Sequence, residues 1–305
     1  MVKYILLTGH TGFLGSVIYR ELKKEFTVRT MGRNEGCDYV VDFSCWDGDL
    51  EISEPVEAIV HVAGLAHNKA HSPDEMQYVN VTAVDLLLKI AQREGIKNFI
   101  FISSVSVYGK DYGLGIAEDS ELNPQNSYGY SKMNSESLVS NWGKENKASF
   151  LSLRLPLIVG PNPPGNLGRL IQSIKQGRYI YLKGNKATKS IVFASDVSVF
   201  IKNWLSSSEK RSGPINLSNG TAPTFNWIEK AIPNESDKSF RISLSVTLLW
   251  NFVVFMRKYL RISLPFIGKL FYPLTFSDEL ARTKYGYTSK ELNQNNFKNE
   301  LNSNS

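Results

Sequence analysis

The chain has 305 residues, of which 42% are hydrophobic and 21% charged, and its formal net charge is +6. This composition is typical of a globular protein of about two average domains, and it excludes a disordered or collagen-like chain. Because no run of five like charges concentrates the modest positive charge, we expect no nucleic-acid partner. Two cysteines, Cys37 and Cys45, cannot form a disulfide scaffold and favour a reducing, cytoplasmic location.

Short β-branched runs alternate with helical patterns over the first half of the chain, which is typical of βαβ units around a parallel sheet. The apolar run Tyr4–Thr8 predicts a strand buried on both faces rather than a signal peptide. The other predicted elements of this half are helices over 12–25, 75–94 and 127–142 and strands at 27–31, 39–41, 58–62, 99–103 and 150–155. We therefore assign residues 1–155 to a doubly wound α/β domain.

Prolines and glycines crowd residues 156–165 and mark a change in organisation. The shorter elements that follow are a helix near 167–176 and strands near 191–193 and 215–217. They predict a smaller second lobe over 156–292, some segments of which return to the first sheet, and we expect the tail 293–305 to be disordered.

The segment Leu244–Met256 is the most apolar stretch of the chain. As a helix it would be about 20 Å long, whereas a bilayer core requires about 30 Å. We therefore expect no integral membrane span but a buried helix, with contact to a membrane surface as the alternative.

A Gly-x-x-Gly-x-x-Gly run directly follows the first strand and precedes a predicted helix. Glycines at this spacing allow a tight turn, the close approach of a pyrophosphate and the packing of helix on strand, while N–H groups at the helix start face the phosphates. A dinucleotide site is predicted, and a glycine-rich turn without a ligand is the alternative. The residues of the run expected to contact the cofactor are Gly9, Thr11, Gly12, Phe13, Leu14 and Gly15.

The residues after the second strand bear on which nicotinamide cofactor is bound. A carboxylate there would accept the ribose hydroxyls of NAD, whereas an arginine accommodates the 2′-phosphate of NADP. Here Arg33 is present, and no acidic residue lies between the end of the second strand and Glu35. Because arginine binds phosphate bidentately, we favour NADPH or NADP, with an ordinary surface arginine as the alternative. Asp42 and Phe43 are expected beside the adenine.

The pattern Tyr-x-x-x-Lys occurs three times, at Tyr19/Lys23, Tyr128/Lys132 and Tyr179/Lys183. Only Tyr128 and Lys132 open a predicted helix, and they follow a strand that ends in Ser103-Ser104, at the edge where open α/β sheets bind ligands. A tyrosine with a pKa near 10 is a poor base at neutral pH, but a neighbouring ammonium and a positive nicotinamide ring favour the phenolate. We predict that Tyr128 exchanges a proton with a substrate oxygen that Ser104 also binds, beside Lys132.

Further motifs accompany these two in order along residues 1 to about 220: His61-Val62-Ala63-Gly64, Asn80-Val81, Ser103-Ser104-x-x-x-Tyr108-Gly109, Arg154-x-Pro156-x-x-x-Gly160-Pro161 and Ile215–Gly220. The whole set resembles the extended short-chain dehydrogenase/reductases of the NAD-dependent epimerase/dehydratase family, which act on nucleotide sugars. The resemblance implies a Rossmann domain, a C-terminal substrate-binding lobe, a UDP-sugar substrate and a homodimer.

Individual residues follow from the same resemblance. It implies cofactor contacts by Val62, Ala63, Gly64, Asn80, Ser103 and Leu155, in addition to Tyr128 and Lys132. It implies substrate contacts by His67, Ser106, Asn166 and Lys189. Lys189 stands where the family has an arginine that clamps the diphosphate, and lysine is a less bidentate clamp. His67 and His71 lack a third ligand, so we expect no metal site.

Three reactions of this family compete. The 4,6-dehydratases have Asp-Glu where this chain has Val105 and Ser106, so elimination lacks its acid and base. The 4-epimerases retain NAD and usually have the carboxylate after the second strand, which is missing here. We favour a reductase that transfers a hydride from NADPH to the C4 ketone of a UDP-4-keto-6-deoxy sugar. The alternative is a UDP-hexose 4-epimerase with tightly bound NAD, and a non-catalytic NADP-binding scaffold is more remote because Tyr128, Lys132 and Ser104 are all retained.

Overall fold

The computed structural model describes residues 4–65, 72–179, 181–232, 243–245, 247 and 271–303. The strands are β1 (Tyr4–Thr8), β2 (Thr27–Gly32), β3 (Tyr39–Val40), β4 (Val56–His61), β5 (Asn98–Ser104), β6 (Gly113–Ile116), β7 (Ser149–Leu155), β8 (Leu157–Val159), β9 (Tyr181–Lys183), β10 (Ile191–Phe193), β11 (Gly213–Asn216), β12 (Ser243–Ser245) and β13 (Leu274–Phe276). The helices are α1 (Phe13–Leu22), α2 (Pro73–Gln77), α3 (Ala83–Arg93), α4 (Ser127–Glu145), α5 (Gly165–Lys175), α6 (Ala194–Ser206), α7 (Phe225–Ala231), α8 (Glu279–Tyr285) and α9 (Gln294–Asn302).

Seven parallel strands form the main sheet, in the order β11-β7-β5-β4-β1-β2-β3. The strand order reverses between β1 and β4, and open α/β sheets bind ligands at the carboxyl ends of strands at such a switch point. The predicted Rossmann-type α/β fold is therefore confirmed. β11 joins this sheet from the second half of the chain, as expected for a segment that returns to it.

Both faces of the sheet are covered by helices, which explains why the central strand β1 is buried and apolar on both faces. Successive side chains of β1 point to opposite faces: Ile5 and Leu7 are buried in the cluster that includes α1 and α6, and Leu6 in the cluster that includes α3 and α4. On the second face α4 lies close to β7, since a Cβ at Gly143 would lie 2.2 Å from the Phe150 ring. The two cores fix α1 and α4, the helices that begin at the candidate site.

The helix predicted over 75–94 is divided into three parts. The capping box of Ser72 and Glu75 starts α2, a π-helical turn covers Tyr78–Thr82, and α3 follows. The apolar periodicity is preserved across the turn, because Val81 and Val84 are both buried. The π-turn is thus compatible with the pattern that predicted one continuous helix, and such turns are frequent at functional sites.

The expectation of a disordered tail is wrong for residues 294–302, which form α9. The Asn293 side chain caps this helix by accepting from the Asn296 amide at 2.8 Å. Phe297 is fully buried, edge-on to Trp227 with 5.5 Å between ring centroids. The helix forms because this cap, the Phe297 ring and the buried Glu300 carboxylate, which accepts from the Ser195 amide and hydroxyl at 2.8 Å each, tie a polar segment to the rest of the chain.

Three two-stranded parallel pairs accompany the main sheet, β8 with β10, β9 with β12 and β6 with β13. The domain boundary near residue 155 stays a prediction. Among the described residues, no helix combines the length and apolarity needed to cross a bilayer. Most of the apolar segment Leu244–Met256 lies outside the described residues, so the expected buried helix also stays a prediction.

Candidate active site

A cavity of about 440 Å³ lies at the carboxyl ends of the strands, beside the switch point. It extends from the turn between β1 and α1, past the ends of β2 and β4, to the start of α4. The sequence-predicted residues that line it are Gly9, Thr11, Gly12, Phe13, Leu14, Gly15, Arg33, Asp42, Phe43, Val62, Ala63, Gly64, Tyr128 and Lys132.

The turn between β1 and α1 needs glycine for reasons of space. Gly9 has a φ of +73°, and a Cβ there would lie 2.6 Å from the Ala63 nitrogen. A Cβ at Gly15 would lie 2.0 Å from the Gly9 carbonyl oxygen, so α1 can approach β1 only without a side chain there. At the start of α1, Gly12 supplies no capping side chain, and the first turn of the helix contains no acidic residue. Its first N–H groups can therefore bind phosphate oxygens, which fits a dinucleotide.

Thr8 fixes the wall formed by residues 62–64. Its hydroxyl oxygen accepts from the amides of Val62 and Ala63, at 3.2 and 3.1 Å, and lies 2.8 Å from Nδ1 of His61. Because the oxygen accepts twice, its own hydrogen is left for Nδ1, and the imidazole is neutral. Burial and the neighbouring Lys132 charge agree with this assignment, since they lower the pKa of His61 to about 3.

One end of the cavity is formed by exposed polar residues. Arg33 follows β2, and Asp42 follows β3 at the same end. The Asp42 carboxylate accepts from the Ser44 amide and hydroxyl, at 2.9 and 2.8 Å, and these bonds, together with the Arg33 charge, lower its pKa. Phe43 is buried edge-on to Trp46, with 5.7 Å between the ring centroids. This end of the cavity is therefore lined by an apolar ring, a cation and an anion.

The other end is formed by the start of α4. Asn126 caps the helix by accepting from the Gly129 amide at 2.9 Å. A Cβ at Gly129 would lie 2.7 Å from the Ser106 carbonyl oxygen, so the glycine lets α4 lie close to the turn that follows β5. Tyr128 is then half-buried and hydrogen-bonded to the Ser104 side chain. Nζ of Lys132 lies 5.8 Å from the Tyr128 ring centroid.

The charges at this end favour a protonated tyrosine beside a lysine ammonium. Burial raises the pKa of Tyr128, and the hydrogen bond with Ser104 opposes that rise. Burial lowers the pKa of Lys132 to about 8, against the effect of the Glu136 carboxylate one turn later. At pH 7 the ammonium is therefore the main form, and Tyr128 holds a proton that it can donate to a substrate oxygen.

The model of the NAD dependent epimerase/dehydratase family matches residues 5–217. The chain belongs to this family. The resemblance read from the sequence motifs is thus confirmed, and so is the expectation of a nicotinamide cofactor at the level of the family.

Two curated relatives of the family illustrate its range. The chain is 29% identical over 197 residues to a UDP-glucose 4-epimerase of Vibrio cholerae, covering 58% of each chain. It is 27% identical over 207 residues to an N-acetyl-α-D-glucosaminyl-diphospho-ditrans,octacis-undecaprenol 4-epimerase of Escherichia coli O157:H7, covering 65% of this chain and 62% of the relative. The chain thus spans about six tenths of the length of these two relatives.

A solved structure of the Bordetella bronchiseptica enzyme WbmG, in complex with NAD and UDP, has the same fold. Its TM-score is 0.74 at 18% identity, and the alignment covers 97% of this chain and 92% of that one. The alignment thus reaches beyond residues 5–217, which the family model matches.

Three residues expected at the cofactor do not line the cavity. Asn80 lies in the π-turn and holds Leu65, accepting from its amide at 2.7 Å and donating to its carbonyl oxygen at 3.1 Å. Ser103 donates to Glu136 at 2.5 Å, and Leu155 is buried in the core. Asn80 also donates to Ser131 Oγ on α4 at 3.0 Å, so it ties the Leu65 loop to the helix that carries Tyr128.

The residues expected at the substrate are spread more widely. The Ser104 hydroxyl donates to Ser106 Oγ at 3.1 Å, so both serines lie beside Tyr128. Asn166 is exposed in the first turn of α5, and Lys189 Nζ donates to the Tyr272 carbonyl oxygen at 2.9 Å. His67 lies outside the described residues, and its contact stays a prediction.

The cavity also has lining residues that the sequence did not indicate, namely Gly32, Val41, Ser44, Leu65, Val79, Ile102 and Ile158. Most are apolar and belong to ordinary strand or helix patterns. Among these residues, the sequence could have indicated only Ser44, because a serine two residues after an aspartate can donate to its carboxylate in a turn. Within the described part of the chain, no group of three His, Cys, Asp or Glu residues could hold a metal ion.

Proposed function

We propose that this family member is a reductase that uses NADPH to reduce the C4 ketone of a UDP-linked 4-keto-6-deoxy sugar. The observation that carries the proposal is Arg33. It lines the exposed end of the cavity directly after β2, where a carboxylate would instead accept the ribose hydroxyls of NAD. An arginine at this place supports binding of the 2′-phosphate, and therefore a cofactor that exchanges after each turnover.

The arrangement at the start of α4 supports the chemistry. The bound cofactor would supply a hydride to C4 of the sugar, and the chain supplies the proton. Tyr128 donates its hydroxyl proton to the oxygen of the former ketone, Ser104 hydrogen-bonds that oxygen, and the Lys132 ammonium stabilises the phenolate left on Tyr128. A proton from solvent restores the phenol. One hydride and one proton thus convert the ketone into an alcohol.

A 4-epimerase with retained NAD is the second candidate, and the names of the two curated relatives favour it. In that reaction Tyr128 first takes a proton from the C4 hydroxyl and later returns it, so the same three residues serve. One of those relatives is named for a sugar on diphospho-undecaprenol rather than on a nucleotide. The diphosphate is common to both substrate classes, and they differ in what the second phosphate carries.

The nucleotide content of the purified protein tests the choice. A reductase purifies largely without nucleotide and consumes NADPH when given a UDP-4-keto-6-deoxy sugar. An epimerase yields stoichiometric NAD on denaturation and interconverts UDP-hexoses with no NADPH consumption. The second result would refute the reductase. We also propose a cytoplasmic location and a homodimer, which cell fractionation and sedimentation equilibrium can check.

A further inference from the structure

Helix α4 carries a third ionisable side chain on the same face as Tyr128 and Lys132. Glu136 lies one turn beyond Lys132 and is only 6% exposed. Residues four apart lie on the same helix face, so the three side chains form a stripe along α4. The stripe faces β5, the strand that ends in Ser104.

Each member of the stripe contacts one of three consecutive residues of β5. The contacts are Tyr128 with the Ser104 side chain, Lys132 Nζ with the Ile102 carbonyl oxygen at 2.8 Å, and Glu136 Oε1 with the Ser103 hydroxyl at 2.5 Å. The helix and the strand are therefore held in one register. A shift of one residue would break all three contacts together.

The Glu136 carboxylate is also held from its other side. Arg154 on β7 donates through Nη2 to Oε2 at 2.7 Å and through Nε to Oε1 at 3.0 Å. The remaining guanidinium nitrogen of Arg154 donates to the Tyr108 hydroxyl at 3.0 Å and to the Glu118 carbonyl oxygen at 3.1 Å. The two charged groups therefore form a buried, hydrogen-bonded ion pair.

The groups around Lys132 differ in charge. On β4, His61 is neutral, and on β5 the Phe101 ring lies 4.6 Å from Nζ. On α4 itself, Tyr128 is protonated and Glu136 is anionic. Arg154 on β7 is cationic and lies behind the Glu136 carboxylate. The Ile102 carbonyl oxygen and the Phe101 ring also favour the ammonium, but among the described residues that act on it Glu136 is the one that carries a full negative charge.

We propose that Glu136 is a positioning residue whose negative charge keeps Lys132 protonated beside Tyr128, a role that rests on the proton transfer assigned to Tyr128 above. Without it, burial would favour the neutral amine near neutral pH. A neutral amine cannot stabilise the phenolate. Glu136 thus acts on the reaction through Lys132 and touches no reacting atom.

The test is an NMR titration of the lysine side chains in the protein without cofactor or substrate, with the Lys132 signal identified by its loss in Lys132→Arg. Glu136→Gln is expected to lower the pKa of Lys132 by roughly 1 to 3 units, as removal of a near opposite charge does. Glu145→Gln is the matched control, because it makes the same change at an exposed position of α4 and should leave the titration unchanged.

Two further variants separate this role from a purely structural one. Arg154→Lys keeps both charges but loses the bidentate contact, so the melting temperature should fall while Lys132 still titrates near 8. If Glu136→Gln does not fold, Glu136→Gln with Arg154→Met removes both buried charges. It should still lower the pKa of Lys132, because Glu136 lies one turn from Lys132 on the same helix face and its charge acts on the ammonium.

An unchanged Lys132 titration in the folded Glu136 variant would overturn the proposal, and so would an equal shift in Arg154→Lys. The titration needs neither turnover nor a bound ligand. Its outcome is therefore independent of whether the protein proves to be a reductase or an epimerase. In an active enzyme, the same variant should move the high-pH limb of the kcat profile to lower pH, which a loss of packing alone would not do.

Discussion

Replacing Arg33 by alanine tests the choice of cofactor at a single side chain. The guanidinium lies at the exposed end of the cavity, on the same side as Asp42 and Ser44. With NADPH bound, we expect it to pair with the 2′-phosphate, a charge-assisted contact worth about 1.5–3 kcal/mol. Because Arg33 is exposed, solvent screening favours the lower part of this range.

The expected loss follows from that energy. At 1.4 kcal/mol per tenfold change, Arg33→Ala weakens NADPH binding by roughly 10- to 150-fold. Asp42 adds to the loss, since its carboxylate, no longer opposed by Arg33, repels the 2′-phosphate. NADH has a hydroxyl at this position, so its affinity should change little.

Titration calorimetry with NADPH and with NADH, at low and at high salt, measures both losses. The NADPH loss should shrink as salt screens the ion pair. Arg20→Ala is a suitable control, because Arg20 lies on α1 and lines a different cleft. Equal losses for the two cofactors, or an undiminished affinity for NADPH, would refute the assignment of Arg33 to the 2′-phosphate.

Three other changes probe the site and its support. Tyr128→Phe should abolish turnover and leave cofactor binding intact, whereas Tyr19→Phe should leave turnover and binding unchanged. Steady-state kinetics and cofactor titration measure the two properties, and an active Tyr128→Phe variant would point to another proton donor. Gly15→Ala places a Cβ 2.0 Å from a backbone oxygen and should lower both the melting temperature and cofactor affinity, whereas Gly36→Ala meets nothing within 4 Å and should lower neither. Asp196→Asn should stabilise the fold at pH 7.5 by at most about 3 kcal/mol, because burial raises the pKa of Asp196 to about 6 from 3.8. The unfolded carboxyl ionises first as the pH rises, so this gain should develop between about pH 4 and 6 and be absent below, as denaturation at several pH values would show.

The cofactor end of the site was predictable because its residues are adjacent in sequence and constrained by backbone space. Gly9 and Gly15 have no room for a side chain, and that constraint produces a pattern visible in one sequence. Val79 and Ile158 line the same cavity but come from distant elements that meet only in the folded chain. Their apolar character also fits a buried core, so no local signal separates the two roles.

The errors have equally local causes. The periodicity over 75–94 predicts one helix, yet it cannot register the extra residue of a π-turn, in which the buried Asn80 accepts from the Leu65 amide. The polar tail lacked the apolar pattern of a packed helix, because its helix is held by one ring, Phe297, in a pocket contributed by other elements, and by the buried Glu300 carboxylate, which accepts from Ser195. The contact of Lys189 with the substrate stays a prediction, and its ammonium donates to the Tyr272 carbonyl oxygen.

The contrast between the two ends of the cavity bears on how the cofactor is used. At the catalytic end, Lys132 is 5% exposed and both Tyr128 and Ser104 are half-buried, so the reacting atoms would be partly shielded from water. At the opposite end, among the described residues, Arg33, Asp42 and Ser44 are all exposed, and the adenosine would lie against solvent. An enzyme that returns its hydride to the same sugar gains from closing over the whole dinucleotide. A reductase must release its oxidised cofactor after every turnover, and an open adenosine end with a salt-sensitive phosphate contact suits that exchange.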